Sequence, residues 1–262
     1  MSLNQKCSSC SQVLQEPIKD FFDFHNVSSD CRPWHKGKSL MVCNNCGLIE
    51  RFLMNRERFE NIYTNYEMFK HSSHSSDQVN FLESSEPIGR TEKILKHILS
   101  IYNLDCKNIL DIGSGNGAGL LALSKLFESS KIYGFEPFDQ PLKKDNSKPL
   151  NIKKIFRRRP LSYKFDFITM FHVFEHIEDI SEIISYVKNI LNENGFLLIQ
   201  IPYATEGPFD YVIADHTRHF SKTSIHCFFK KNNFKFLHLD NDVIRKELTI
   251  LIRKQNYEHF DL

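Results

Sequence analysis

Net charge of one sign, long apolar runs and glycine are all scarce in this chain, and each scarcity excludes something. Its 34 lysines and arginines nearly cancel 32 acids over 262 residues, leaving a formal charge of +2. So small a net charge gives no general attraction to nucleic acid or to an anionic membrane. No apolar run approaches the length that crosses a bilayer, and the opening Met1-Ser-Leu-Asn-Gln-Lys lacks the apolar core of a signal peptide. The expectation is a soluble, cytoplasmic protein. Apolar residues still make up 41% of the sequence, enough to bury the core of one large or two small domains.

Glycine numbers only ten, yet four alternate within residues 113–119. They follow Asn108-Ile-Leu-Asp-Ile112, which reads as a buried strand breaking into a glycine turn and then a helix. Such a turn leaves backbone N–H groups facing a crevice, ready for a nucleotide-like ligand. Glu136 closes the next apolar run, Lys131-Ile-Tyr-Gly-Phe135. A carboxylate there can accept hydrogen bonds from both hydroxyls of a ribose. Gly113, Gly115 and Ala118 also satisfy dinucleotide spacing, so an NAD site is the competing reading.

Four of the seven cysteines stand in two knuckles, Cys7-Ser-Ser-Cys10 and Cys43-Asn-Asn-Cys46. A two-residue gap lets both thiolates of a knuckle reach one tetrahedral ion, and two knuckles complete a closed four-cysteine site whose expected occupant is a structural zinc. A thioredoxin-like pair competes, but the motif occurs twice and no strand–helix unit surrounds either copy. Cys31, His25 and His35 lie between the knuckles as substitute ligands. Residues 1–58 therefore read as a zinc-binding domain with a small core from Phe21, Phe22, Phe24, Trp34, Leu48 and Phe52. Residues 59–104 read as a connector and lid, with a serine and histidine cluster before Asp77 and a helix over 91–101.

From residue 105 to 262 strands alternate with helices. Strands are expected at 107–112, 131–136, 152–156, 165–171 and 196–201, and helices at 117–128, 178–191 and 222–231. That order predicts an α/β fold, a parallel sheet covered on both faces. Phe234–Leu239 and Leu248–Ile252, joined by a short link, predict an antiparallel hairpin at the sheet edge.

Phe165-Asp-Phe-Ile-Thr-Met-Phe171 runs directly into His172-Val-Phe-Glu-His-Ile-Glu178. Side chains at the carboxyl end of a parallel strand face the ligand crevice. Glu175 and His176 read as capping and hydrogen-bonding residues of that junction. Further on, Gly207 to Ser221 carries Asp215, His216 and His219 in a loop expected to overhang the crevice. Imidazole suits proton removal near neutral pH, so His216 is the candidate base and Asp215 its orienting carboxylate. Lysines and arginines crowd Lys143 to Arg159. They read as a solvated basic face, with RNA or a phosphorylated acceptor as other uses.

Asp111 before the turn, with Gly113, Ser114, Gly115 and Gly117, resembles motif I of class I S-adenosylmethionine (SAM)-dependent methyltransferases. The closing hairpin is similar to the end of their seven-stranded Rossmann-like sheet. The resemblance implies SAM against the turn, Glu136 on its ribose, and Phe171 and His172 beside its methionine part.

A wider set resembles the zinc-containing sugar C-methyltransferases of deoxysugar biosynthesis. It comprises Cys7/Cys10 and Cys43/Cys46, the aromatic connector from Tyr63, Phe135-Glu136-Pro137, Val173-Phe-Glu-His-Ile177, and Asp215-His216 through Phe220-Ser221. By that resemblance Pro137 joins the cofactor site and Asp215 and His216 match a glutamate and histidine near the reaction centre. His219 replaces an aromatic residue, and Tyr66 corresponds to a connector tyrosine. Those enzymes continue with a further domain where this sequence stops at Leu262. The expectation turns accordingly toward O- or N-methylation of a small carbohydrate-related or phosphorylated acceptor for glycan, capsule or deoxysugar synthesis. RNA methylation and a non-catalytic, cofactor-binding role beside a partner subunit are the alternatives.

Overall fold

Short strands interrupted by turns come first in the chain, as its polar and cysteine-rich start dictates. The computed structural model describes residues 5–18, 25–34, 40–51, 62–63, 66, 79–80, 88–136, 152–155 and 163–255. Strands β1 (Asn26–Val27) and β2 (Pro33–Trp34) pair antiparallel, as do β3 (Leu40–Val42) and β4 (Ile49–Arg51). Then β5 (Val79–Asn80) and β6 (Ile88–Gly89) lead into helix α1 (Arg90–Ile101). Its buried stripe of Thr91, Ile94, Leu95 and Ile98 has the spacing of one helix face. Leu48 is buried and Trp34 half-buried, whereas Phe21, Phe22, Phe24, His35 and Phe52 lie outside the described residues.

The α/β part follows the sequence pattern closely. In chain order it runs β7 (Asn108–Ile112), α2 (Ala118–Leu126), β8 (Lys131–Phe135), β9 (Ile152–Ile155), β10 (Phe165–Phe171), α3 (Ile180–Ile190), β11 (Leu191–Pro202), β12 (Arg218–His219), α4 (Lys222–Lys231), β13 (Phe234–Asp240) and β14 (Glu247–Lys254). Seven of these strands form one sheet in the order β13-β14-β11-β10-β7-β8-β9. The order reverses between β7 and β10, and ligands of open α/β sheets bind where that reversal opens a crevice at the strands' carboxyl ends. The terminal strands form an antiparallel hairpin at one sheet edge, with β14 inserted between β13 and β11 so that β13 is outermost. Helix α3 starts at Ile180 because Asp179 caps it, accepting from the N–H of Ser181 and Glu182 at 3.0 and 2.9 Å.

The cysteine-bearing segment does not stand apart from this sheet. Strand β12, from the histidine loop, pairs antiparallel with β4 and makes a three-stranded sheet β12-β4-β3. Behind it, Cys7, Cys43, Cys46, Met41 and Leu48 share one continuous core with Phe174, Phe220, Ile225, Phe228 and Phe229. Phe174 stacks on Phe220 and on Phe229 with centroids 5.5 and 5.7 Å away. Aromatic pairs of this kind add about 0.5–1.5 kcal/mol each beyond their area burial.

Gly113 has φ +76°, and a Cβ there would lie 2.2 Å from Val173 Cγ2. Gly113→Ala combines a left-handed backbone with a steric clash, and should destabilise the fold by about 2–3 kcal/mol. Thermal unfolding checks this: the midpoint drops by roughly 5–10 °C, and adding Val173→Ala restores part of the loss.

Candidate active site

Three glycines after β7 have positive φ, Gly113 at 76°, Gly115 at 48° and Gly117 at 90°. They fold the turn sharply enough for the N–H of Gly113 and of Ser114 to reach the Phe135 carbonyl at 2.8 and 3.1 Å. Beside the turn lies a cleft of about 230 Å³ lined by Arg90, Thr91, Asp111, Gly113, Ser114, Gly115, Asn116, Ala118, Gly119 and Phe171. Gly119 keeps it open, since a Cβ there would come 3.0 Å from Asp111 Oδ2. Glu136 is buried and accepts from the N–H of Gly115 at 2.8 Å, so the two strand ends meet at the turn.

Asp111 is buried and accepts from Thr169 Oγ1 at 2.7 Å. Burial pushes its carboxyl up to about 7, with the nearby Glu136 adding to the shift and the Thr169 bond opposing it. Gly117 caps α2 and does not line the cleft. Pro137 lies outside the described residues.

His172 follows Phe171 at the cleft without lining it. It has φ +53°, and its imidazole sits between two carboxylates, with Nδ1 3.2 Å from Glu175 Oε1 and Nε2 3.2 Å from Glu247 Oε2. Burial lowers its pKa, yet those two carboxylates outweigh burial and raise it. Glu247 in turn accepts from Arg90 Nη1 at 3.0 Å, which ties the wall of the cleft to β14.

The histidine loop is arranged differently from the expected Asp215–His216 pair. Asp210, in the short 3-10 turn Pro208–Val212, grips both histidines, with Oδ1 2.5 Å from His216 Nδ1 and Oδ2 2.5 Å from His219 Nδ1. A carboxylate only accepts, so each Nδ1 carries a proton. Burial lowers the His219 pKa against the pull of Asp210 and keeps that ring neutral. Asp215 serves His176 instead, 3.2 Å from its Nδ1, and also accepts from Ser29 Oγ at 2.6 Å and Tyr63 OH at 3.0 Å.

The adjacent positions Asp215 and His216 project to different partners, which is why one cannot orient the other. Burial would lower the pKa of His176, but Asp215 raises it to about 9, so the pair is ionic at neutral pH. The ring of His176 stands edge-to-face on His216 with centroids 4.5 Å apart.

Tyr66 joins through Ser29, whose Oγ lies 3.1 Å from its hydroxyl. Tyr63 is closer still to the histidines, 2.9 Å from His176 Nδ1. Thr217 N and Oγ1 both donate to the Glu175 carbonyl at 2.8 Å, which fixes the loop just beyond the end of β10. The cleft and the histidine cluster therefore flank one segment, residues 171–176.

The Sγ atoms of Cys7, Cys10, Cys43 and Cys46 all lie within 4.8 Å of one another. Cys7 and Cys46 are 3.6 Å apart and Cys10 and Cys43 3.4 Å. A tetrahedral zinc with Zn–S near 2.3 Å needs sulfurs about 3.8 Å apart, so this donor set fits it. Burial pushes the Cys7 thiol up to about 12. For Cys10, the Gln12 backbone and Asn45 outweigh the raising effect of burial and bring it down to about 7. Cys31 is exposed and outside the cluster.

Residues 79–239, more than half of the chain, match the family described as methyltransferase domain. The chain belongs to that family. It is a class I, SAM-dependent methyltransferase. Solved structures share its fold. Human N-acetylserotonin methyltransferase in complex with SAM is 16% identical, with a TM-score of 0.57 over 78% of this chain and 61% of its own. A chain from the complex of the Haloferax volcanii Trm112 methyltransferase activator with a methyltransferase is 13% identical, with a TM-score of 0.52 over 65% of this chain and 92% of its own. The plantazolicin methyltransferase BpumL in complex with SAH is 12% identical, with a TM-score of 0.51 over 77% and 90%. No curated protein matches the chain in sequence.

The methyltransferase's cleft suits its donor. Glycines leave the floor open, and Ser114 Oγ, on the lining, is buried with no hydrogen-bond partner among the described residues. Arg90 and Thr91 at the head of α1 escaped the sequence reading, since nothing local marks a helix start as a cleft wall. Asp210 and Tyr63 escaped it too, although Asp210 sits in the loop already singled out. The basic run from Lys143 to Arg159 lies outside the described side chains.

The raised pKa of Asp111 gives a pH signature. Between the ordinary carboxylate range and about 7 the folded protein binds a proton that the unfolded chain releases, so stability contributed by this group falls as pH rises through that window. Asp111→Asn removes the fall. Its thermal midpoint should gain on the unsubstituted protein from pH 4 upward and level off near pH 7 in a series of melting curves.

Proposed function

We propose that this methyltransferase transfers the methyl group of SAM to a hydroxyl or other polar group of a small carbohydrate-related or phosphorylated acceptor, with His216 as general base. The grip of Asp210 on Nδ1 of both His216 and His219 carries this reading. A carboxylate behind one imidazole nitrogen fixes the tautomer and leaves the other nitrogen able to take a proton. SAM supplies an electrophilic methyl on a sulfonium, so the chain must align the acceptor and, for a hydroxyl, remove its proton. His219, on the other oxygen of Asp210, keeps that carboxylate fixed.

Asp111, Gly113, Ser114, Gly115, Glu136 and Phe171 are assigned to the donor, with Gly117 shaping the turn and His172 and Pro137 adjoining it. Ser29, Tyr63, Tyr66, His176 and Asp215 form a hydrogen-bonding wall next to the base. Such a wall suits an acceptor with several hydroxyls better than an apolar ring, and the sequence resemblance to sugar C-methyltransferases favours the same class. Residues 1–58 are taken as a unit organised by a structural zinc on Cys7, Cys10, Cys43 and Cys46, residues 59–104 as connector and 105–262 as the methyltransferase unit. A closed four-thiolate site has no open position, so this zinc holds structure and stays out of the chemistry.

His216→Ala should lower kcat by about 10²–10⁴-fold, the usual contribution of a general base. Calorimetry should give the variant an unaltered affinity for SAM. Release of S-adenosylhomocysteine across a panel of sugar nucleotides and sugar phosphates identifies the acceptor. Unchanged turnover in His216→Ala would refute the base, and no acceptor in the panel would refute the substrate class.

Elemental analysis should find one tightly held zinc per chain. Cys43→Ser should lose it together with methyl transfer, because β4 and the histidine loop share a sheet.

A further inference from the structure

A second set of metal-type donors lies where α1 meets the edge strand β13. His97 is on α1, and His238 and Asp240 are two residues apart on β13, hence on one face of the strand. His97 Nε2 is 3.6 Å from Asp240 Oδ2, and His238 Nε2 contacts the same oxygen. The two imidazoles stand edge-to-face with centroids 5.3 Å apart. Tyr102 packs against His238 at 6.1 Å and donates its hydroxyl to the Leu237 carbonyl at 2.5 Å. The other carboxylate oxygen, Oδ1, accepts the N–H of Asp242 at 3.3 Å.

All three donor atoms lie within 4.8 Å of one another. Both Nε2 atoms are shut off from water, and both face the Asp240 carboxylate. The contrast with Asp210 is instructive, because there each imidazole has a carboxylate oxygen to itself. Here two imidazole nitrogens converge on one oxygen. With both rings protonated on Nδ1, the two Nε2 lone pairs and a carboxylate lone pair are turned on one point, where a cation can accept all three.

We propose that His97, His238 and Asp240 form a second metal site, for a divalent transition ion such as zinc, cobalt or nickel. Two imidazoles and one carboxylate are the ligand types these ions prefer, whereas magnesium and calcium select oxygen. Three protein ligands leave a position for water, and the site lies near the surface, with the His97 side chain 37% exposed. The ion clamps α1 to β13. Arg90 at the head of α1 lines the donor cleft and is paired with Glu247 on β14, so the clamp braces one wall of that cleft from its far side.

The test uses the full chain, free of any histidine tag and with the cysteine-bound metal in place, dialysed against cobalt(II). One additional equivalent should bind at micromolar or lower concentration. It should give weak visible d–d bands without thiolate charge transfer, and raise the melting midpoint.

His97→Ala, His238→Ala and Asp240→Asn should each weaken this binding by at least about tenfold, with circular dichroism unchanged. His97→Gln, which preserves the helix surface, should do the same if an alanine variant fails to fold. Absence of the extra equivalent would overturn the site. So would its persistence in a folded His97→Ala/His238→Ala variant, since the ion would then belong to the histidines of the loop.

Discussion

The ladder between β12 and β4 fixes two faces of the molecule at once. Arg218 lies opposite Glu50 and His219 opposite Ile49. Because side chains alternate along a strand, Arg218 and His219 project to opposite sides. His219 turns inward to Asp210, while Arg218 donates to Ser8 Oγ at 3.1 Å and to the Ile177 carbonyl at 2.6 Å. A slip of one residue would exchange them and take the imidazole off its carboxylate. Ser8 stands inside the first cysteine knuckle and donates its own N–H to Glu50 at 2.7 Å. The knuckle, β4 and the histidine loop are consequently one hydrogen-bonded object. Ser221, which caps α4, also reaches the Cys46 carbonyl at 3.4 Å.

The second theme is buried charge. Glu175, Asp210 and Asp215 are all buried within a few residues of one another in space. Burial alone would raise every one of their pKa values, but the surrounding imidazoles reverse the shift and hold all three below the ordinary carboxylate range. Arg51 lies in the same region, lowered by burial to about 10 and still charged at neutral pH. It donates to Asn26 and to the Tyr211 carbonyl. Such a network contributes little net stability against an apolar core, yet deleting one member strands the others without a partner. That asymmetry disfavours rearrangement of the cluster, which is what the proposed base needs to meet an acceptor in line.

The sequence spoke clearly wherever structure is local. Apolar periodicity located the strands and helices of the sheet to within a few residues, and the alternating glycines after Asp111 marked the turn at which the cleft opens. The spacing of Cys7, Cys10, Cys43 and Cys46 brought four sulfurs together before any coordinates. What stayed illegible depends on the path of the chain between elements. Asp210 replaces Asp215 as the partner of His216 because the 3-10 turn at Pro208–Val212 folds it back over the loop. Arg90 joins the cleft, and Tyr63 joins the histidines, through packing between segments far apart in sequence. The contacts of His172 with Glu175 and Glu247 were illegible as well, since they depend on a left-handed backbone after β10 and on the path of β14.

The pairing of β12 with β4 also has a consequence for biogenesis. The two strands are separated by most of the chain, so on a ribosome adding about 5–20 residues per second β4 waits roughly ten to thirty seconds for its partner. During that interval its free edge and the apolar side of the knuckles are open to other nascent chains. If the knuckles hold the proposed zinc, its early capture would pre-order β3 and β4 and shorten that exposure.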